Sequence, residues 1–261
     1  MVVEEAQTEA DAAERQNPHP LDPLSAREIE QAGALCHEHH SSEGLRFVSI
    51  ALQEPAKSDI YAFTPGGHIV RHAFVVMLDR ADGNVYEAIV DLTAGRVESW
   101  EHRPGVQPIM LLEEIQQVEA IVKADASWLA AMKKRGVTDV GTVQIDPWPA
   151  GNFGDPDEAG HRLLRCPSYI RDEKASHGYA RPVEGVVAVL DLHEGRVLKV
   201  VDEGNVPVPA ADIRYDAASQ PAMRDDLKPL EITQPEGVSF QLHGHELRWQ
   251  KWSMRVSLHP R

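Results

Sequence analysis

Apolar positions along the chain follow first a helical period and then a strand period, and this succession occurs twice. Ser25 followed by Glu28 predicts a capping box, and Ile29, Ala32 and Cys36 carry a helical stripe to about His40. Strand patterns follow. Phe47, Ser49 and Ala51 alternate with Val48, Ile50 and Leu52 until Pro55, and His72 to Leu78 is a strongly apolar run. Ala81-Asp82-Gly83-Asn84 turns into a strand from Val85 to Leu92, and Ala94-Gly95 turns again into Arg96 to Trp100. The order then begins afresh. Leu111 to Lys123 and Ala126 to Arg135 read as helix, with Ile115, Val118, Ile121 and Val122 on one face and Gly136 at the end. Strands are expected at Thr142 to Ile145, His161 to Ile170, Val186 to Asp191 and Arg196 to Asp202.

The repetition extends to residues. Asp91-Leu92-x-x-Gly95-Arg96-Val97 returns as Asp191-Leu192-x-x-Gly195-Arg196-Val197, each time across a hairpin rich in Val and Leu. The expected fold class is therefore α+β, with two consecutive small domains, each a helix on an antiparallel sheet. Residues 23–108 form the first and 109–212 the second. Residues 1–22, Ala-rich and acidic with Arg15 as the one basic residue, read as a disordered tail. From Pro207, the residues Pro209, Pro221 and Pro229 punctuate an extended linker. In 213–261 a last strand pair is expected at about Val238 to Leu242 and Leu247 to Leu258.

Composition narrows the function more than it names one. A 42% hydrophobic content with 26% charged residues is that of a soluble globular protein. The formal net charge of −15 repels phosphate backbones and anionic lipid, which argues against nucleic acid and membrane as partners. Met1 to Gln16 has neither a basic nor an apolar region of a signal peptide, and two cysteines in the whole chain suit a reducing cytoplasm. A cytoplasmic location is expected.

The groups that most resemble chemistry have plainer readings. His243-x-His245 places two imidazoles on one face of a strand, which suits a metal, but no third ligand lies nearby, so a turn with two exposed histidines is the expected state. His37, His39 and His40 fall where the first helix ends, a position favoured by its dipole. No metal ligand is assigned to either group. Cys36 and Cys166 sit in no catalytic motif and are expected to be buried. Asp91 and Asp191 are expected to serve their turn backbones rather than act as an acid and base.

One family does emerge from particular segments. His19-Pro20-Leu21-Asp22-Pro23-Leu24, Arg181-Pro182-Val183-Glu184-Gly185-Val186-Val187-Ala188, Pro207-Val208-Pro209 and Ile232-Thr233-Gln234-Pro235-Glu236-Gly237-Val238-Ser239-Phe240 occur in this order, and Trp249-Gln250-Lys251-Trp252-Ser253 follows. Over residues 19–261 the chain resembles the copper- and topaquinone-dependent primary amine oxidases, particularly their actinobacterial branch. The resemblance implies a cystatin-like fold for each small domain, with 213–261 as linker and incomplete start of a catalytic β-sandwich. It implies oxidation of a primary amine to an aldehyde, with copper, topaquinone and a homodimer in the full-length enzyme.

The family makes its quinone from a tyrosine in Asn-Tyr-Asp/Glu, and none of Asn17, Asn84, Asn152 and Asn205 precedes a tyrosine. No catalytic residue is therefore assigned, no cofactor is expected in this chain, and alone it is expected to be inactive, a fragment of the enzyme. By resemblance alone, Ile115, Trp148 and Tyr179 match positions lining the substrate channel. Two rival readings stand beside this one: a non-enzymatic binding or interaction module derived from the small domains, and a small metalloprotein using the histidine clusters.

Overall fold

The computed structural model describes residues 19–172, 176–211, 213–222 and 224–257, so the expected tail lies outside the described residues except for 19–22. The chain divides into two compact units, one running through Pro108 and rejoined by the residues from Leu230 onward, the other Ile109–Pro229. Both are α+β.

In the first unit, α1 (Ala26–His39) begins as its sequence dictates. Glu28 N–H donates to Ser25 Oγ, and Ser25 N–H donates to the Glu28 carboxylate at 2.8 Å. Ala32 and Cys36 face inward. Four strands, β1 (Leu45–Gln53), β2 (His72–Asp79), β3 (Val85–Asp91) and β4 (Arg96–His102), form an antiparallel meander in chain order. A short helix α2 (Lys57–Ala62) interrupts the β1–β2 connection; it buries none of its residues, which is why no periodicity announced it. The core joins Ala32 and Cys36 to Leu45, Ala73, Val75, Met77, Ala88 and Val90.

In the second unit, α3 (Leu112–Ala124) and α4 (Ala126–Lys134) are separated by Asp125, whose carboxylate caps α4 by accepting from Trp128 N–H. Gly136, at φ +77, lets the chain leave α4 in the left-handed region. The sheet runs β5 (Val143–Ile145), β7 (Leu163–Ile170), β8 (Pro182–Asp191), β9 (Arg196–Asp202), with the two-residue β6 (Trp148–Pro149) also paired to β7. The core is built on Trp128, fully buried, whose Nε1–H donates to buried Ser168 Oγ at 3.0 Å. Val118, Val122, Met132, Leu164, Val186 and Leu190 close around it.

The internal repeat is structural. In both units the turn glycine has a positive φ, +67 at Gly95 and +64 at Gly195. Asp91 pairs with Arg96 and Asp191 with Arg196 across the hairpin. The register shifts at equivalent places, between Ile89 and Val90 and between Val189 and Leu190.

Some expected elements differ. The run Leu247 to Leu258 is not one strand: β10 (Gln241–His243), β11 (Glu246–Trp249) and β12 (Trp252–Arg255) form a three-stranded meander in which Trp249 pairs with Trp252. The reversal uses Gln250, at φ 52, and Lys251, neither of them a usual turn residue. The strand expected from His161 starts at Leu163, and the one expected from Val186 starts at Pro182. Proline is tolerated as a first strand residue. No helix of the described residues is long and apolar enough to cross a membrane.

Candidate functional site

Two of the three channel candidates meet on one carboxylate. Ile145 ends β5, and the following Asp146-Pro147 bend brings Asp146 between Trp148 on β6 and Tyr179 in the single-turn segment Gly178–Ala180. Asp146 Oδ2 accepts from Trp148 Nε1–H at 2.9 Å and from the Tyr179 hydroxyl at 2.6 Å. Trp148 is 56% exposed and Tyr179 52%, so both rings remain open to a ligand. The hydrogen bond to Asp146 is the main reason the Tyr179 hydroxyl titrates above its ordinary range, which keeps it a donor. Tyr179 also lies 4.9 Å from Tyr169, centroid to centroid, and receives His177 edge-on at 5.2 Å. His177 in turn packs perpendicular to Tyr215 at 4.8 Å. Ile115 lies in the first turn of α3 and is partly exposed.

The other sequence candidates have structural employment. Asp91 Oδ1 accepts from Ala94 N–H, and Asp191 Oδ1 accepts from His193 and Glu194 N–H, so each carboxylate serves its own turn. His37 packs on Phe47, His39 and His40 on Trp100, and His40 Nε2 lies 3.0 Å from Asp79 Oδ2. His243 and His245 flank Gly244 in an exposed turn between β10 and β11. Cys36 and Cys166 are free and fully buried; burial pushes their thiols up to about 11 and about 12.

Among the described residues, one trio has metal-ligand proximity: His161, Asp191 and Glu194, with ligand atoms within 4.8 Å. Its atoms are already engaged. His161 Nδ1 lies 2.5 Å from Asp191 Oδ2, the other Asp191 oxygen holds the turn, and Glu194 pairs with Arg196.

Two ion pairs, each built on a buried arginine, escaped the sequence reading. Arg71 Nε and Nη2 grip both Glu28 oxygens at 2.8 and 3.1 Å, while Nη1 donates to Asp22 O. Arg162 grips Glu114 in the same fork at 2.7 and 2.7 Å. Each glutamate is the third helical residue and also accepts from the N-cap amide, and each arginine carbonyl accepts from Leu92 or Leu192 N–H. The arginine thus ties the helix start to the repeated hairpin. The lone signal for it was an arginine beside an otherwise apolar strand.

Comparison with known proteins follows the same division. Residues 19–102 match the family model "Copper amine oxidase, N2 domain" and residues 113–220 match "Copper amine oxidase, N3 domain". The chain is 41% identical over 245 residues to the primary amine oxidase of Arthrobacter sp. (strain P1), an alignment covering 93% of this chain and 37% of that protein. It is 35% identical over 250 residues to the primary amine oxidase of Klebsiella aerogenes, covering 94% and 32%. With the histamine oxidase of Arthrobacter globiformis it shares 37% identity over 249 residues, covering 93% and 36%. Among solved structures, a copper-containing benzylamine oxidase from Hansenula polymorpha superposes with a TM-score of 0.76 at 23% identity, over 92% of this chain and 40% of that one. That last likeness is one of fold. The chain spans about a third of the length of these curated relatives.

Proposed function

The chain belongs to the copper amine oxidases, through their N2 and N3 domains, and from that premise we propose that it is the N-terminal, substrate-guiding portion of a primary amine oxidase. The complete enzyme converts a primary amine, O2 and water to an aldehyde, ammonia and hydrogen peroxide. It is a cytoplasmic homodimer carrying copper and topaquinone. When bound, those cofactors supply the oxidising chemistry. The described residues do not fit either group. Tyr61, Tyr86, Tyr169, Tyr179 and Tyr215 each lack a preceding asparagine, and the His161–Asp191–Glu194 trio is committed to a turn and to Arg196. No reaction step is therefore assigned to a residue here.

The contribution we assign is physical. Ile115, Trp148 and Tyr179 line the approach of the amine and select its shape by packing. Trp148 and Tyr179 can do this because Asp146 fixes the orientation of both while leaving their rings about half exposed. The observation that carries the reading is the 41% identity over 245 residues, an alignment that covers 93% of this chain.

Exposure of Trp249 (42%) and Trp252 (55%) favours this reading over a self-contained binding module, which would cover such aromatics. The test is a peroxide-release assay with primary amines, paired with quinone staining. The 261-residue chain is expected to give neither signal, whereas a longer protein that includes it and an Asn-Tyr-Asp/Glu segment is expected to give both. Amine turnover by the 261-residue chain alone would overturn the assignment.

A further inference from the structure

Only half of the Asp146 carboxylate is used. Oδ2 takes both aromatic donors, and Oδ1 accepts no hydrogen bond from any described residue. Nor does a cation neutralise it among the described residues. The basic side chains of this unit that pair do so elsewhere: Arg165 with Glu158, Lys199 with Asp155 and Glu158, Arg181 with Asp172, Arg135 and Lys134 with Asp202. The residue itself is half-buried, so its charge is screened less than that of a fully exposed carboxylate. Trp148 and Tyr179 meet it through their ring-edge donors, and Tyr169 and His177 pack against Tyr179.

A fixed carboxylate with one free oxygen, rimmed by aromatic rings, has the chemistry to hold a small organic cation. Oxygen accepts a charge-assisted N–H bond, and half-exposed rings beside it offer apolar contact to the organic part of the same ligand. An anion is repelled there, and a neutral analogue gains ring contact alone. We propose that Asp146 Oδ1 binds the ammonium group of a primary amine, with Trp148 and Tyr179 holding the carboxylate in position and flanking the bound cation. This rests on the reading that the second unit lies on the path of the amine, and adds to it a residue that reads charge where packing reads shape.

A purely structural Asp146 would merely clip β6 to the Gly178–Ala180 turn. The substitution Asp146→Asn separates the two roles, because the amide oxygen still accepts from both aromatic donors while the charge is gone. The indole N–H of Trp148, bonded directly to Asp146, is the reporter. In a 15N-labelled 261-residue chain its resonance is identified with Trp148→Phe, then followed while benzylammonium chloride or benzyl alcohol is added at constant ionic strength.

The expected result is a saturable shift with benzylammonium, and binding about five-fold weaker or more both for the alcohol and for Asp146→Asn. The proposal is overturned if no saturable shift occurs, if the alcohol binds as well as the cation in the unsubstituted chain, or if a folded Asp146→Asn titrates like the parent. The alcohol comparison needs no variant to fold. Since nothing is turned over, a negative titration removes ammonium binding by Asp146 and leaves the oxidation assay to judge the wider reading.

Discussion

At the scale of single residues, the least replaceable side chains are Arg71 and Arg162, 6% exposed each. Arg162→Ala removes the guanidinium fork from Glu114, itself 5% exposed, and the expected loss is about 3–5 kcal/mol in urea unfolding. The double substitution Arg162→Met with Glu114→Leu is expected to recover most of it, because two apolar groups of similar volume leave no buried charge. In the other unit the ion pair makes stability depend on pH. Burial alone pushes the Glu28 carboxyl up, but its bonds from Arg71 and Ser25 hold it below its ordinary value of 4.5. A carboxyl depressed by folding contributes stability above its unfolded pKa, and loses it as pH falls through the folded one. The stability difference between the parent and Glu28→Gln, measured by urea unfolding over a pH series, is therefore expected to be constant above about pH 5 and to shrink below 4.5. The cap formed by Ser25 and Glu28 was legible because its partners lie three positions apart. The Arg71 fork was not, since its partner is 43 positions away and no local pattern records that distance.

Among elements, the β8–β9 hairpin distinguishes two glycines that look alike in sequence. Gly185 has φ +73 and a Cβ built there would lie 2.0 Å from Glu203 O, whereas one on Gly195, φ +64, meets open space. Gly195→Ala is expected to cost about 1 kcal/mol through backbone strain, and Gly185→Ala clearly more, since the backbone at Glu203, just past β9, must also move. Thermal melts of the two variants provide the comparison, and equal losses would contradict the close approach. Helices α1, α3 and α4 were legible because each writes its stripe and its stop locally. The β11–β12 hairpin was hidden. Its turn at Gln250-Lys251 contains no Gly, Pro, Asn or Asp, and a two-residue reversal does not interrupt an alternating pattern. The candidate site was half legible: Trp148 and Tyr179 were named by resemblance, while Asp146, which accepts from both, carried no motif.

For the molecule as a whole, two cores and one uncovered sheet are the governing facts. On the β10–β12 meander, Leu242, Trp249, Trp252 and Met254 are 60, 42, 55 and 44% exposed. Such a surface is expected to bind hydrophobic dyes and to promote self-association. Replacing Trp249 and Trp252 together by serine should lower both dye fluorescence and the apparent mass in sedimentation, with little change in helical circular dichroism. The division into units has a practical consequence through its two thiols. Cys36 belongs to one core and Cys166 to the other, and burial disfavours the reactive thiolate of each. Each sulfur is a stopwatch for its own half of the chain: a modifying reagent reaches it at the rate, or with the frequency, at which that half opens. Mass spectrometry of peptides taken at successive times then yields two clocks from one unaltered protein, and the lag between them measures how far the halves unfold in concert.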